Sequence, residues 1–211
     1  MCQPADWSAC WPTPQRRRGT QGAPSNDKDP PAGEACGGRD REALGRSRGG
    51  LSTKIHLLAD TRCRPLARVV TAGQRGDALG FSAVLARLRI RRRGRGRPRT
   101  RPDILLGDKA YSARRIRAEL RRRRIRAVIA EPADQAGNRR RRRSAGGRPP
   151  AFDSAAYRAR NTTERAINKL KAYRAVAMRT DKRQYIYAGT IDVASIRIWL
   201  RDLTRHPPNT A

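Results

Sequence analysis

The chain has 211 residues and carries 49 Lys and Arg against 18 Asp and Glu, a formal net charge of +31. That self-repulsion calls for a polyanion, and since most of the charge is Arg, whose planar fork meets phosphate at two points, nucleic acid is the natural partner. There is neither a long apolar run nor a basic amphipathic helix with an aromatic face, which argues against a membrane partner.

In chain order, residues 1–39 hold Pro4, Pro12, Pro14, Pro24, Pro30 and Pro31 with scattered Trp7 and Trp11, and show neither strand alternation nor a helical stripe, so a disordered tail is expected. Residues 53–59 and 66–71 predict an antiparallel hairpin around a turn at 60–65. Within it, His56 points away from Ile55 and Leu57 and is expected to be a hydrogen-bonded or solvated strand histidine rather than a metal ligand. Asp77 is placed to cap a helix marked by Phe81, Val84, Leu85 and Leu88. An Arg-rich loop at 91–99 follows, whose Gly-Arg-Pro centre resembles the minor-groove reader called an AT-hook; Arg95 and Arg97 are its candidate DNA contacts.

Residues 102–107 read as a short buried strand ending at Asp108, the position where open α/β sheets place their ligands. A helix at 113–124 and a strand at 125–130 complete a βαβ-like unit. A second basic run, 139–143, precedes Gly146, Gly147, Pro149 and Pro150 and is expected to be a flexible linker. Downstream, Tyr157, Arg160, Glu164 and Lys171 fall on one narrow stripe of a helix, while Ala159, Ala166, Ile167, Leu170 and Tyr173 form a separate packing face. The stripe therefore faces something polar. An apolar run at 186–203 predicts a closing helix. Cys2, Cys10, Cys36 and Cys63 include no close pair, so free thiols are expected. No charged segment leading into an apolar stretch opens the chain, which predicts no export signal and a cytoplasmic location.

These residues resemble a known family. The Tyr157, Arg160, Glu164 and Lys171 spacing, the Gly107-Asp108-Lys109-Ala110-Tyr111 segment, residues 45–56 and Asp181-Lys182-Arg183 are similar to the DDE transposases of bacterial insertion sequences, in the insertion-sequence-five-like branch. The likeness covers about residues 44–203. It implies an α/β fold with an RNase H-like mixed sheet flanked by helices, DNA (insertion-sequence ends) as partner, and two Mg²⁺ or Mn²⁺ ions held by three carboxylates for strand cleavage and transfer. Carried over, Asp108 is the second acid and Glu164 the third, both catalytic and metal-binding, with Tyr157, Arg160 and Lys171 contacting DNA.

The first acid has no clear counterpart, because the strand that should carry it is apparently missing; Asp6 and Asp60 are both poor candidates. The expected organisation is a tail at 1–43, a partial catalytic domain at 44–205 and a short tail at 206–211. The expected function is a truncated or frame-slipped transposase, inactive or impaired. A non-catalytic DNA-binding remnant and a basic RNA-binding protein are the alternatives, and a homodimer is left open.

Overall fold

The computed structural model describes residues 8–11, 15–18, 42–47, 50–92, 94–158 and 161–207. Its centre is a seven-stranded mixed sheet built around β4 (Gly50–Ala59). Along one edge of β4 lies β5 (Pro65–Ala72), antiparallel from Thr53 opposite Ala72 to Ala59 opposite Pro65. Along the other edge run β1 (Ser8–Trp11) and β2 (Gln15–Arg18), with Cys10 opposite Ala59 and Arg18 opposite Ser52. The short β3 (Gly45–Ser47) doubles back on the start of β4. Beyond β1 the sheet becomes parallel, through β6 (Ile104–Gly107) to β7 (Arg126–Ile129).

The expectation of a missing first strand is corrected by this register. Ser8–Trp11 lies between β4 and β6, antiparallel to one and parallel to the other. Its four residues are too few to show alternation, and Pro4, Pro12 and Pro14 around them read as breakers. What holds such a strand is the hydrogen-bonding of its two neighbours, which no local pattern records. The sheet also crosses the boundary drawn at Leu44.

Alternation along β4 sorts the core into two layers. Leu58 faces α1 (Asp77–Arg87) and α2 (Arg114–Arg122), where Phe81, Val84, Leu85, Ile116 and Leu120 pack with Leu105 and Ile129. Ile55, Leu57 and Ala59 face the opposite layer, α5 (Asn161–Lys171), α6 (Arg174–Met178) and α7 (Gln184–Arg205), through Ala166, Ile167, Leu170, Val176, Tyr187, Ile191 and Ile198. Two further helices, α3 (Ala133–Arg141) and α4 (Ser154–Arg158), lie near the parallel half. Among the described residues no helix is long and apolar enough to cross a membrane, and Cys63 is a buried free thiol.

Two polar contacts under α1 differ in kind. Asp77 opens the helix without capping it; its carboxylate instead meets Lys54 Nζ at 2.6 Å. His56 is buried beneath Gly80, where a Cβ would come within 2.7 Å of the ring, and its Nε2 pairs with Thr71 Oγ1 at 2.8 Å. Burial lowers the His56 pKa from 6.5 to about 4, an effect Asp77 opposes and Lys54 reinforces. Since the folded pKa lies below the unfolded one, this group's contribution is complete above pH 6.5 and is lost as pH falls from 6.5 towards 4. The loss amounts to roughly 3 kcal/mol. Urea midpoints measured across that range should therefore fall more steeply in the native chain than in His56→Gln; parallel curves would refute the assignment.

A clasp joins the upstream segment to α7. Glu42 accepts from Gln184 N at 3.0 Å and from Arg183 Nη1 at 2.9 Å, capping the helix start, while buried Arg179, in the left-handed region at φ 46°, donates to the Glu42 and Ala43 carbonyls.

Candidate functional site

Asp108 follows the last residue of β6, at the carboxyl end of the parallel strands. Its backbone is still extended (φ −73°, ψ 162°), so strand alternation assigns it to the face of Leu106. That face is the one on which Leu106 and Val128 pack against Ala156 and Tyr157 of α4. Asp108 Oδ1 accepts from Lys109 N at 2.7 Å and starts a 3-10 turn, Lys109–Tyr111, pinned by the fully buried Tyr111 beside Phe81. The acid thus stands, half-buried, on a rigid turn.

Tyr157 is half-buried and its ring centroid lies 5.1 Å from that of Phe152. Its helix is anchored by Asp153, which accepts from Ala156 N and pairs with Arg126 of β7. The anticipated stripe helix is described as α4 and α5, on either side of residues 159 and 160; Arg160 and Ala159 lie outside the described residues. Of the packing face, Ala166, Ile167 and Leu170 are buried with Thr163, and Tyr173 is partly buried. Glu164 is exposed in the first turn of α5, close in sequence to α4 and on the same side of the sheet as Leu106. From there α5 crosses towards the β4–β5 turn, where Lys169 Nζ reaches the Arg62 carbonyl at 3.1 Å. Lys171 consequently stands about 10 Å further along the helix than Glu164.

Of the two candidates for a first acid, Asp60 is committed elsewhere. It is 2 % exposed and accepts from Arg62 N, Arg64 N and Arg64 Nε at 3.1, 2.9 and 2.7 Å, closing the β4–β5 turn. Arg64 also reaches Asp202 of α7 and lies 4.0 Å over the Trp199 ring. Two strand spacings separate β4 from β6, about 10 Å across the sheet alone. Asp6 lies outside the described residues. On β1, Trp11 is level with Gly107 and Cys10 with Leu106, and none of Ser8, Ala9, Cys10 and Trp11 is acidic. Among the described residues no three of His, Cys, Asp and Glu form a group that could hold a metal ion. Two carboxylates do not fit a pair of ions that needs bridging and flanking oxygens.

The two basic runs lie at different ends of the sheet. The loop holding exposed Arg95 and Arg97 is closed by paired hydrogen bonds between Ile90 and Arg99 and leads into the start of β6. Asp108 is at the other end of that strand, at least about 13 Å away. The second run belongs to the Asp108 end, and it is a helix rather than the flexible linker expected. The Ser112 hydroxyl, just past the Asp108 turn, donates to Gln135 of α3 at 3.0 Å, and Arg139 grips Glu131 through Nε and Nη2 at 3.2 and 2.9 Å. Those tethers order a segment that composition reads as a linker, and leave Arg140, Arg141, Arg142 and Arg143 exposed.

A strongly basic α/β domain, with one carboxylate at the end of a central parallel strand and another on a helix crossing the same face, has the layout of a protein that acts on polynucleotides. Residues 13–190 match the model of the transposase DDE domain family, and the chain belongs to that family. It is 30% identical over 151 residues to a Brucella ovis protein named "Putative transposase for insertion sequence element IS6501", covering 72% of this chain and all of that one. Among solved structures, "Crystal structure of the Mos1 Strand Transfer Complex" aligns at 14% identity and a TM-score of 0.29, covering 97% of this chain; this chain spans 55% of the solved one. At that score the likeness carries no weight for the fold.

Proposed function

We propose that this chain is an insertion-sequence DNA transposase that retains the sheet, the second and third acids and the DNA-binding surface, but lacks the first acid. The observation that carries the impairment is the register of β1, which puts Trp11 beside Gly107 and no carboxylate on the strand next to Asp108. Support for an RNase H-like reading comes from the strand order β5-β4-β1-β6-β7, antiparallel in its first half and parallel in its second. Proteins of this family use divalent metal ions. In the proposed reading Asp108 and Glu164 are the acids that remain for Mg²⁺ or Mn²⁺, too few to hold two ions.

What the remaining side chains do is electrostatic. Arg140, Arg141 and Arg142 extend from the Asp108 end of the sheet and neutralise phosphate, the contact that gives affinity without reading sequence. Tyr157, Arg160 and Lys171 are assigned to the strand lying along α4 and α5, and Arg95 and Arg97 to DNA at the far end. The domain at 44–205 is the part carrying this surface, with β1 and β2 added to its sheet.

The direct test is nicking of supercoiled DNA with Mg²⁺ or Mn²⁺: wild type and Asp108→Ala are expected to be equally inactive while both bind DNA. Wild-type nicking that Asp108→Ala abolishes would overturn the impairment. Replacing Arg140, Arg141 and Arg142 together by Ala should weaken binding at every sequence and lower the slope of log K against log salt by about 2 to 3. An unchanged slope would place the DNA elsewhere.

A further inference from the structure

The arginines that precede β6 are sorted by what they touch. Arg89, just past α1, donates to the Ala86 and Leu88 carbonyls at 2.9 and 3.0 Å. Arg99 is taken by Asp103 and by the Arg101 carbonyl, and Arg101 reaches the Arg123 carbonyl at 3.3 Å. With the paired backbone bonds of Ile90 and Arg99, these contacts fix the base of the loop. Beyond it the pattern changes. Arg91, Arg92, Arg95 and Arg97 are exposed, and their side chains make no ion pair or hydrogen bond among the described residues. Between Arg95 and Arg97 the chain is bare backbone: Gly96 sits at φ 137°, a conformation that suits glycine, and a Cβ there would meet only the Arg92 side chain, at 3.9 Å.

We propose that this loop inserts Arg95 and Arg97 into the minor groove of A·T-rich duplex DNA, an inference that rests on the reading of the chain as a DNA-binding transposase. Shape and donor chemistry select the groove. Major-groove readers are helices or two-stranded ribbons, and residues 94–98 form neither. The minor groove, about 6 Å wide, takes a single irregular chain, and Gly96 removes the bulk between the two arginines. Four residues on each arm of the loop can span about 13 Å from its closed base, more than the groove's depth of roughly 7.5 Å. Arginine carries donors and no acceptor. The floor of an A·T minor groove offers only acceptors, adenine N3 and thymine O2, whereas guanine puts a donor amino group there. A·T tracts are also narrower and more negative, and a guanidinium sheds its water more readily than an ammonium. The loop thereby supplies a sequence preference that the phosphate contacts of α3 do not.

The test is binding of the full chain to three duplexes of equal length whose cores are A·T, G·C and inosine·C, the last lacking only the guanine amino group in the minor groove. Anisotropy titrations at physiological ionic strength should show the A·T and inosine·C cores bound about tenfold more tightly than G·C. Changing Arg95→Lys and Arg97→Lys together keeps the charge; it should bring the three cores within about twofold of one another and leave the salt slope unchanged. Replacing Arg140, Arg141 and Arg142 by Ala should instead weaken all three and preserve their ratio. Equal binding of the three cores by the native chain would overturn the proposal. So would a preference for G·C that inosine·C shares, which is the major-groove pattern, or an A·T preference that survives both Lys changes. Failure to bind any duplex would overturn the DNA-binding reading on which the proposal rests.

Discussion

Cys10→Asp is expected to bring Mg²⁺- or Mn²⁺-dependent nicking at least about tenfold above the background at which the native chain stands, which asks for only ~1.4 kcal/mol of barrier. Cys10 pairs with Leu106 on β6, two residues before Asp108, and with Ala59 on β4. Leu106 packs on the α4 side, and Ala59 in the core beneath α5. The register sets position 10 on the strand beside β6, level with the residue two before Asp108 and at the same end of the sheet. A second carboxylate near Asp108 raises like-charge repulsion that a bound cation relieves. Melting of Cys10→Asp should therefore rise with Mn²⁺ where that of the native chain does not. Adding Asp108→Ala should return nicking to background. A folded Cys10→Asp protein no more active than the native chain would show that a missing carboxylate on β1 is not the defect.

Asp60→Ala should cost about 3 to 5 kcal/mol of stability, the penalty for removing one partner of a buried ion pair. The change strips Arg64 of its partner at 2.6 Å and leaves the backbone N–H groups of Arg62 and Arg64 without their acceptor. The disturbance should spread to α7, because the same Arg64 reaches Asp202 and stacks on Trp199. DNA binding per folded molecule should stay the same. Chemical denaturation combined with a binding titration separates these effects: a stable Asp60→Ala protein would mean that the turn holds itself, and weaker DNA binding per folded molecule would give Asp60 a part in the DNA-binding surface.

Much of this architecture was readable where a local pattern coincides with burial. The β4–β5 hairpin, α1, α2, β6, β7 and α7 follow from alternation or helical spacing of residues such as Ile55, Leu57, Val84, Leu85, Leu105 and Ile198, all of which are buried. The elements that escaped are held by contacts distant in sequence. β1 exists because β4 and β6 pair with it, and α3 is tethered through Ser112 and Glu131 in spite of a composition that suggests a linker. Asp77 stands where a cap is expected, but the cation that takes it, Lys54, comes from a strand 23 residues earlier. Asp108 was legible as an acid on a strand end, and Glu164 as one on a helix start. Their shared face was not, since it depends on the pleat that carries Leu106 onto the α4 side.

The clasp at Glu42 has a bearing on how far the protein can be shortened. A version starting at Leu44 would lose the carboxylate over the first turn of α7 and the two carbonyls that Arg179 holds. It would also lose β1 and β2, laying open a row of main-chain donors and acceptors along β4 that β5 does not satisfy. A naked border of that kind recruits neighbouring strands, so trimming the proline-rich leader would trade a folded molecule for an adhesive one.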